Sequence, residues 1–249
     1  MRTFEEYLNE AGLKAERQEN GFVDAVNSAV KLNGDKPITL VTGDATVKGV
    51  IKAEKFQGRQ ASGSEPYTDV QLFTSRGILN ISMKGPSAPS LAGGGLRGVE
   101  AVIPGIGTRF FRAAYDQHIK NKLKPGDKVP DTFGQLNKKD KELLVIGNKA
   151  MGGPIDFMYI GPMSVSQKYN PSRGTLTVSG KLIPAKKYSD THELYFRLRA
   201  RRHDQRFDPE ASDKNGVPKI YGRSPSKGDS AGRLVVTDKV SGKGNKIIF

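Results

Sequence analysis

The spacing of hydrophobic and polar positions changes along this chain, and each change predicts an element. Over residues 16–32, ERQENGFVDAVNSAVKL, Phe22, Val23, Val26 and Val30 recur at helical spacing and form one stripe. A shorter helix is expected over residues 2–11. After the turn NGDKP (33–37), the runs ITLVTG and ATVKGVIKAEKF read as strands. Residues 64–84, SEPYTDVQLFTSRGILNISMK, read as a β-hairpin: DVQLFT, a turn at SRG, and ILNISMK returning. Strand alternation puts Asp69, Gln71 and Phe73 on one face of the first strand. On the second, Ile78, Asn80, Ser82 and Lys84 share a face, opposite the apolar Leu79, Ile81 and Met83. Asp69 opens one strand and Lys84 closes its neighbour, so a hairpin of this length brings both to the same end of the sheet.

Further along, GTRFFRAAYDQHIKNKL (107–123) predicts a second amphipathic helix. Phe110, Phe111, Ala114, Tyr115 and Ile119 form its inner face. Arg109, Arg112, Lys120 and Lys122 are left to solvent or to a phosphate backbone. A short helix is expected around 137–147 and a strand over 155–165. The small-residue stretch GPSAPSLAGGGLRG (85–98) reads as a plain mobile loop rather than one whose amides approach a phosphate, and it lacks the Gly-Lys-Ser/Thr of a Walker A loop. In the last third, GTLTVSGKLIPA and HELYFRLRARRHDQ read as antiparallel strands. In the latter, Leu194, Phe196, Leu198 and Ala200 alternate with Tyr195, Arg197, Arg199 and Arg201, and Arg202 and Arg206 follow. One face is apolar; the other carries arginines and a tyrosine, able to track phosphates and stack on a base or sugar. RLVVTDKV reads as a final strand. The division expected is residues 1–165 as an α/β core and 166–249 as a basic, β-rich extension packed on it.

Composition narrows the partners. The 249 residues carry a formal net charge of +14, which favours a polyanion: nucleic acid or an anionic surface. Hydrophobic content is 36% and glycine reaches 29 residues, so long loops are expected. There is no cysteine, which excludes disulfides, cysteine–zinc sites and cysteine nucleophiles. The three histidines, His118, His192 and His203, are scattered, so a metal would be a hard cation held by carboxylates. The acidic start MRTFEEYLNEAGLKAE does not read as a signal peptide, and no apolar run is long enough to span a membrane. A cytoplasmic setting is expected, whether in a cell or for a phage-encoded protein in host cytoplasm or virion.

Glu19 is the residue out of place in this pattern. It precedes Phe22 by three positions, Val23 by four and Val26 by seven, so it falls inside the apolar stripe, whereas Asp24 points away. A buried glutamate is costly unless it is paired or binds a metal. A glutamate in the first turn of a helix, by contrast, favours the helix dipole. Both readings stand on the sequence alone.

Helix with an inward Glu19, strands, a strand beginning at Asp69, a strand ending Ser82-Met83-Lys84, then another helix: this order resembles the PD-(D/E)xK, or restriction-endonuclease-like, nuclease superfamily over roughly residues 16–125. The resemblance implies an α/β core with a mixed central sheet flanked by helices. It implies Mg²⁺ or Mn²⁺ held by Asp69, by the backbone carbonyl of Met83 and by Glu19, with Lys84 orienting or deprotonating the attacking water. Phosphodiester hydrolysis needs a nucleophilic water and relief of charge on the phosphoryl oxygens, and a hard cation with oxygen ligands serves both. The chain departs from the pattern in having Ser82 where the family carries a second acid. Thr68, rather than proline, precedes Asp69.

The function expected is a metal-dependent DNA endonuclease, with Asp69, Lys84, Glu19 and Ser82 in its site. Arg197, Arg199, Arg201, Arg202, Tyr195, Arg109 and Arg112 are the expected nucleic-acid contacts. DNA is the implied partner, and a homodimer is among the assemblies this allows. The alternatives are a non-catalytic nucleic-acid-binding or nucleoprotein assembly protein that keeps a nuclease-like core, and an RNA-associated binding protein without this fold. No recognition helix, zinc finger or basic zipper is legible.

Overall fold

The stripe predicted over residues 16–32 is buried in a computed structural model of the chain. It describes residues 4–43, 45–58, 66–86, 95–128, 130–199, 233–238, 240 and 244–249. A single helix, α1 (Phe4–Leu32), replaces the two short helices expected, because the isolated Gly12 between them is tolerated within helical backbone. Phe22, Ala25, Val26, Ala29 and Val30 form its buried face. The helix ends where Gly34 takes a left-handed φ of 67°, a conformation that costs glycine little.

The described chain is mixed α/β and divides into two units. The first comprises Met1–Ala61, Pro66–Ala88 and Ile146–Tyr188; the second comprises Ser62–Glu65, Pro89–Val145 and Ser189–Phe249. The second unit's run Pro89–Val145 is therefore inserted in sequence between two parts of the first.

The first unit carries an eight-stranded mixed sheet. Its strands are β1 (Ile38–Thr42), β2 (Ala45–Lys55), β3 (Val70–Thr74), β4 (Gly77–Lys84), β6 (Phe157–Ile160), β7 (Gln167–Asn170), β8 (Thr175–Val178) and β9 (Lys181–Pro184). Their order is β7-β8-β1-β2-β3-β4-β6-β9, with β1/β8 and β4/β6 parallel and the other pairs antiparallel. The buried stripe of α1 packs on Ile38, Leu40, Val50, Ala53, Val70, Leu72, Ile81 and Met83. Phe22 meets Tyr159 of β6 edge-on at 5.3 Å between centroids. Truncating Phe22, which is fully buried, would cost about 3–5 kcal/mol by the usual scale for core aromatics.

The second unit holds β5 (Thr132–Gln135), β10 (Tyr195–Arg199), β11 (Arg233–Thr237) and β12 (Asn245–Ile248) in the order β11-β10-β5-β12. Its helices are α2 (Gly95–Val102), α3 (Ile106–Lys120) and α4 (Lys138–Ile146), the last ending at the boundary; α5 (Ala185–Thr191) begins in the first unit. Phe110, Phe196 and Phe249 pack pairwise at 5.3–5.5 Å between centroids. The segments GTLTVSGKLIPA and HELYFRLRARRHDQ are not each other's partners. The first supplies β8 and β9 of the large sheet, and the second supplies β10 of the small one. Among the described residues no helix is long and apolar enough to cross a membrane.

Candidate functional site

The hairpin forms in the register that puts Asp69 level with Ser82. Val70 pairs with Ile81, Gln71 with Asn80 and Thr74 with Gly77, and the Gln71 amide donates to Asn80 Oδ1 at 2.9 Å. Asp69 itself lies one residue before β3 and leaves the ladder: its N–H donates to the carbonyl of Ile81 at 2.9 Å. Its side chain then takes over from the backbone. Asp69 Oδ2 accepts the backbone N–H of Met83 at 2.5 Å and the Ser82 hydroxyl at 3.3 Å, and lies 3.6 Å from Lys84 Nζ. All three contacts fall on one oxygen, which leaves Oδ1 outside this set.

The opposite edge of β4 is occupied by β6. The carbonyl of Lys84 accepts the N–H of Gly161 at 3.1 Å. The N–H and C=O of one strand residue point to the same edge, and neighbours alternate. Since the N–H of Met83 points to Asp69, the carbonyl of Met83 is turned to the Asp69 edge too, past the end of β3.

Glu19 approaches from α1. The helix begins at Phe4, so Glu19 lies mid-helix and the first-turn reading falls away. Its carboxylate is 21% exposed and ion-paired with Lys55 Nζ at 3.1 Å; Glu16 Oε1 lies 3.8 Å from the same ammonium. Burial pushes the Glu19 carboxyl above the ordinary carboxylate range, against the lowering effect of Lys55. The nearby negative charge of Asp69 adds to the rise and Lys84 opposes it. Glu19, Asp69, Lys84 and Lys55 thus form one electrostatic cluster at one end of β2, β3 and β4.

Two members were not expected from the sequence. Lys55 ends β2, with Val70 as its Cα partner. Gln18 is 2% exposed, and its amide nitrogen bonds the carbonyls of Lys84 at 3.3 Å, Gly161 at 2.9 Å and Pro162 at 3.1 Å. It ties α1 to the ends of β4 and β6. A signal was present: Gln18 stands four residues before Phe22 and eight before Val26, a polar residue at a stripe position.

The donor set is all oxygen: two carboxylates, the Ser82 hydroxyl and the Met83 carbonyl. That suits a hard cation of the Mg²⁺ kind, which is commonly held by one or two carboxylates together with substrate phosphates. Among the described residues no three His, Cys, Asp or Glu side chains converge on a metal position.

The expected nucleic-acid contacts are dispersed. In the second unit, Arg197 donates to Asp131 Oδ2 through Nε at 3.0 Å and through its terminal nitrogen at 2.5 Å, with its guanidinium 5.5 Å from the Phe133 ring centroid. Asp131 is the acidic partner of what the sequence presents as a free arginine face. Arg109 bonds Asp140 Oδ2 at 3.2 Å, and Arg112 is exposed on α3. Tyr195 is half-buried in β10. Arg201, Arg202 and Arg206 lie outside the described residues, as does the side chain of Arg199. No protein-family model, curated protein or solved structure matches this chain.

Proposed function

We propose that this protein is a metal-dependent phosphodiester hydrolase acting on DNA, with its site at Asp69, Ser82, Lys84 and Glu19. One observation carries the reading. The residues of the nuclease-like pattern, drawn from a helix and a hairpin, meet as one charged cluster at the mouth of a mixed sheet, with Met83 between them. The net charge of +14 supplies long-range attraction for a polyanion.

Asp69, through Oδ1, the Met83 carbonyl and Glu19 would hold Mg²⁺ or Mn²⁺. Such a cation, when bound, supplies an activated water and neutralises charge on the phosphoryl oxygens. The chain's own groups do the rest. Lys84 offers an ammonium 3.6 Å from Asp69, positioned to orient the attacking water and to offset developing charge. Asp69 fixes that ammonium and the strand end together. The Ser82 hydroxyl donates to Asp69 and so sets which of its oxygens is engaged. Gln18 holds α1 against β4, which keeps Glu19 at the site.

A second reading has its own support. Each of the two carboxylates already carries a lysine, and the position of the family's second acid is a serine. Both features suit a nucleic-acid-binding protein that keeps a nuclease-like core without cleavage. Incubating plasmid and linear DNA with the purified protein in Mg²⁺, Mn²⁺ or EDTA, beside Asp69→Asn, separates the two. Metal-dependent cleavage lost in the variant supports the hydrolase. Retardation without cleavage, equal in both proteins, supports the binding protein.

A further inference from the structure

Lys55 ends β2 beside the site, level with Val70, the residue after Asp69. Its ammonium is 3.1 Å from Glu19 and 3.8 Å from Glu16. Glu16 and Glu19 are three residues apart on α1, so they lie one above the other on the same side of the helix. The two acceptors differ in setting: the Glu19 side chain is 21% exposed and the Glu16 side chain 58%. Lys84 sits on Asp69 in the same manner. Both carboxylates that a cation would need are thus neutralised in the protein alone. A divalent cation arriving there meets two ammonium groups, and like charges this close repel strongly in a partly desolvated site. Lys84 has Asp69 as its acidic contact here, whereas Lys55 has two, one inside the site and one at its solvent margin.

We propose that Lys55 is the resident counter-ion of Glu19 in the free protein and is handed to Glu16 when a divalent cation is taken up by Glu19 and Asp69. This rests on the reading of the Asp69 cluster as a hard-cation site. The handover needs only side-chain rotation of Lys55, because Glu16 is already within 3.8 Å of its ammonium. It makes cation uptake weak in the free protein. Uptake strengthens when a phosphate backbone brings further oxygens, the usual mode for Mg²⁺.

The test is Mn²⁺ binding to the full chain without nucleic acid, read from the electron paramagnetic resonance of the free ion. Lys55→Met keeps the stem and removes the charge. It should tighten Mn²⁺ roughly fivefold to tenfold, and Lys55→Gln, a second variant against misfolding, should do likewise. Glu16→Gln should loosen Mn²⁺, and should loosen it less once Lys55→Met is present, since the acceptor then has nothing to accept. Asp69→Asn should abolish this binding. If Asp69→Asn loses Mn²⁺ while neither Lys55 variant tightens it, the handover is wrong and the cation site stands. An equal effect of Glu16→Gln in both backgrounds would likewise exclude the handover and leave the cation site in place. If Mn²⁺ does not bind, or binds unchanged in Asp69→Asn, the cation site and the handover fall together.

Discussion

The backbone N–H of Met83 donates to the carboxylate of Asp69, 14 residues earlier, at 2.5 Å. A side chain thereby completes the hydrogen bonding of a strand whose neighbour has just ended. Asp69 has both a structural and a proposed chemical task, and variants divide them. Asp69→Ala leaves the Met83 donor without its acceptor and should cost about 1–3 kcal/mol in urea unfolding. Asp69→Asn keeps an accepting oxygen and should cost less. Cleavage should be lost in both, so activity surviving in folded Asp69→Asn would remove this residue from the chemistry.

On the proposed reading, Lys84 should bear on catalysis more than on grip. Lys84→Ala should reduce metal-dependent cleavage by at least about a hundredfold, the lower range for a lost proton-transfer or electrostatic group. DNA affinity, measured by gel retardation, should change little. Full cleavage by Lys84→Ala would exclude the role assigned to it.

Ser82 invites a gain-of-function variant. Ser82→Asp introduces a second carboxylate beside Asp69 at a position 2% exposed. Two close carboxylates, one buried and one partly buried, repel, so the free protein should lose about 1–3 kcal/mol of stability. Mn²⁺ should restore it and bind more tightly than to the parent. Thermal unfolding with and without Mn²⁺ reads both effects; equal shifts in parent and variant would count against a cation at this spot.

His118, in the second unit, should set a pH limit on folding. It is fully buried on α3, and desolvation lowers its pKa from 6.5 to about 4. The folded state therefore holds the proton less tightly than the unfolded state. The contribution is intact above pH 6.5 and is lost as pH falls from 6.5 towards 4, about 3 kcal/mol across that window. His118→Leu should flatten the stability profile over this range. An unchanged slope would exclude His118 as its source.

Arg197 should behave as a structural residue. With two hydrogen bonds to Asp131 and the Phe133 ring beneath it, Arg197→Ala should cost about 1–2 kcal/mol of stability. The salt dependence of DNA binding should stay constant. A slope reduced by about one would instead identify a phosphate contact.

The hairpin was legible because its register depends on local alternation and a short turn, and these bring Asp69, Ser82 and Lys84 to one end. The α1 stripe was legible for the same reason, and Glu19 and Gln18 stand out in it as polar intrusions. Lys55 was not, because its importance comes from which helix covers its strand. Nor was the pairing of β8 with β1, or of β6 with β4, since parallel neighbours distant in sequence leave no local pattern. Arg197 is the converse case: two-residue spacing gives a face, but its partner Asp131 lies 66 residues upstream.

The insertion of the run Pro89–Val145 of the second unit between β4 and β6 has a consequence for how the protein is made. On the ribosome, the hairpin and its Asp69–Met83 bond can form as soon as residue 84 is clear. Gln18, however, has to wait for the carbonyl of Gly161, 143 residues later. At ordinary synthesis rates that is a delay of about 7–30 s. From the release of residue 84 onward β4 presents an unpaired edge, so a nascent chain stopped before residue 157 should hold α1 on β1–β4 through its apolar stripe but without the Gly161 and Pro162 carbonyls for Gln18.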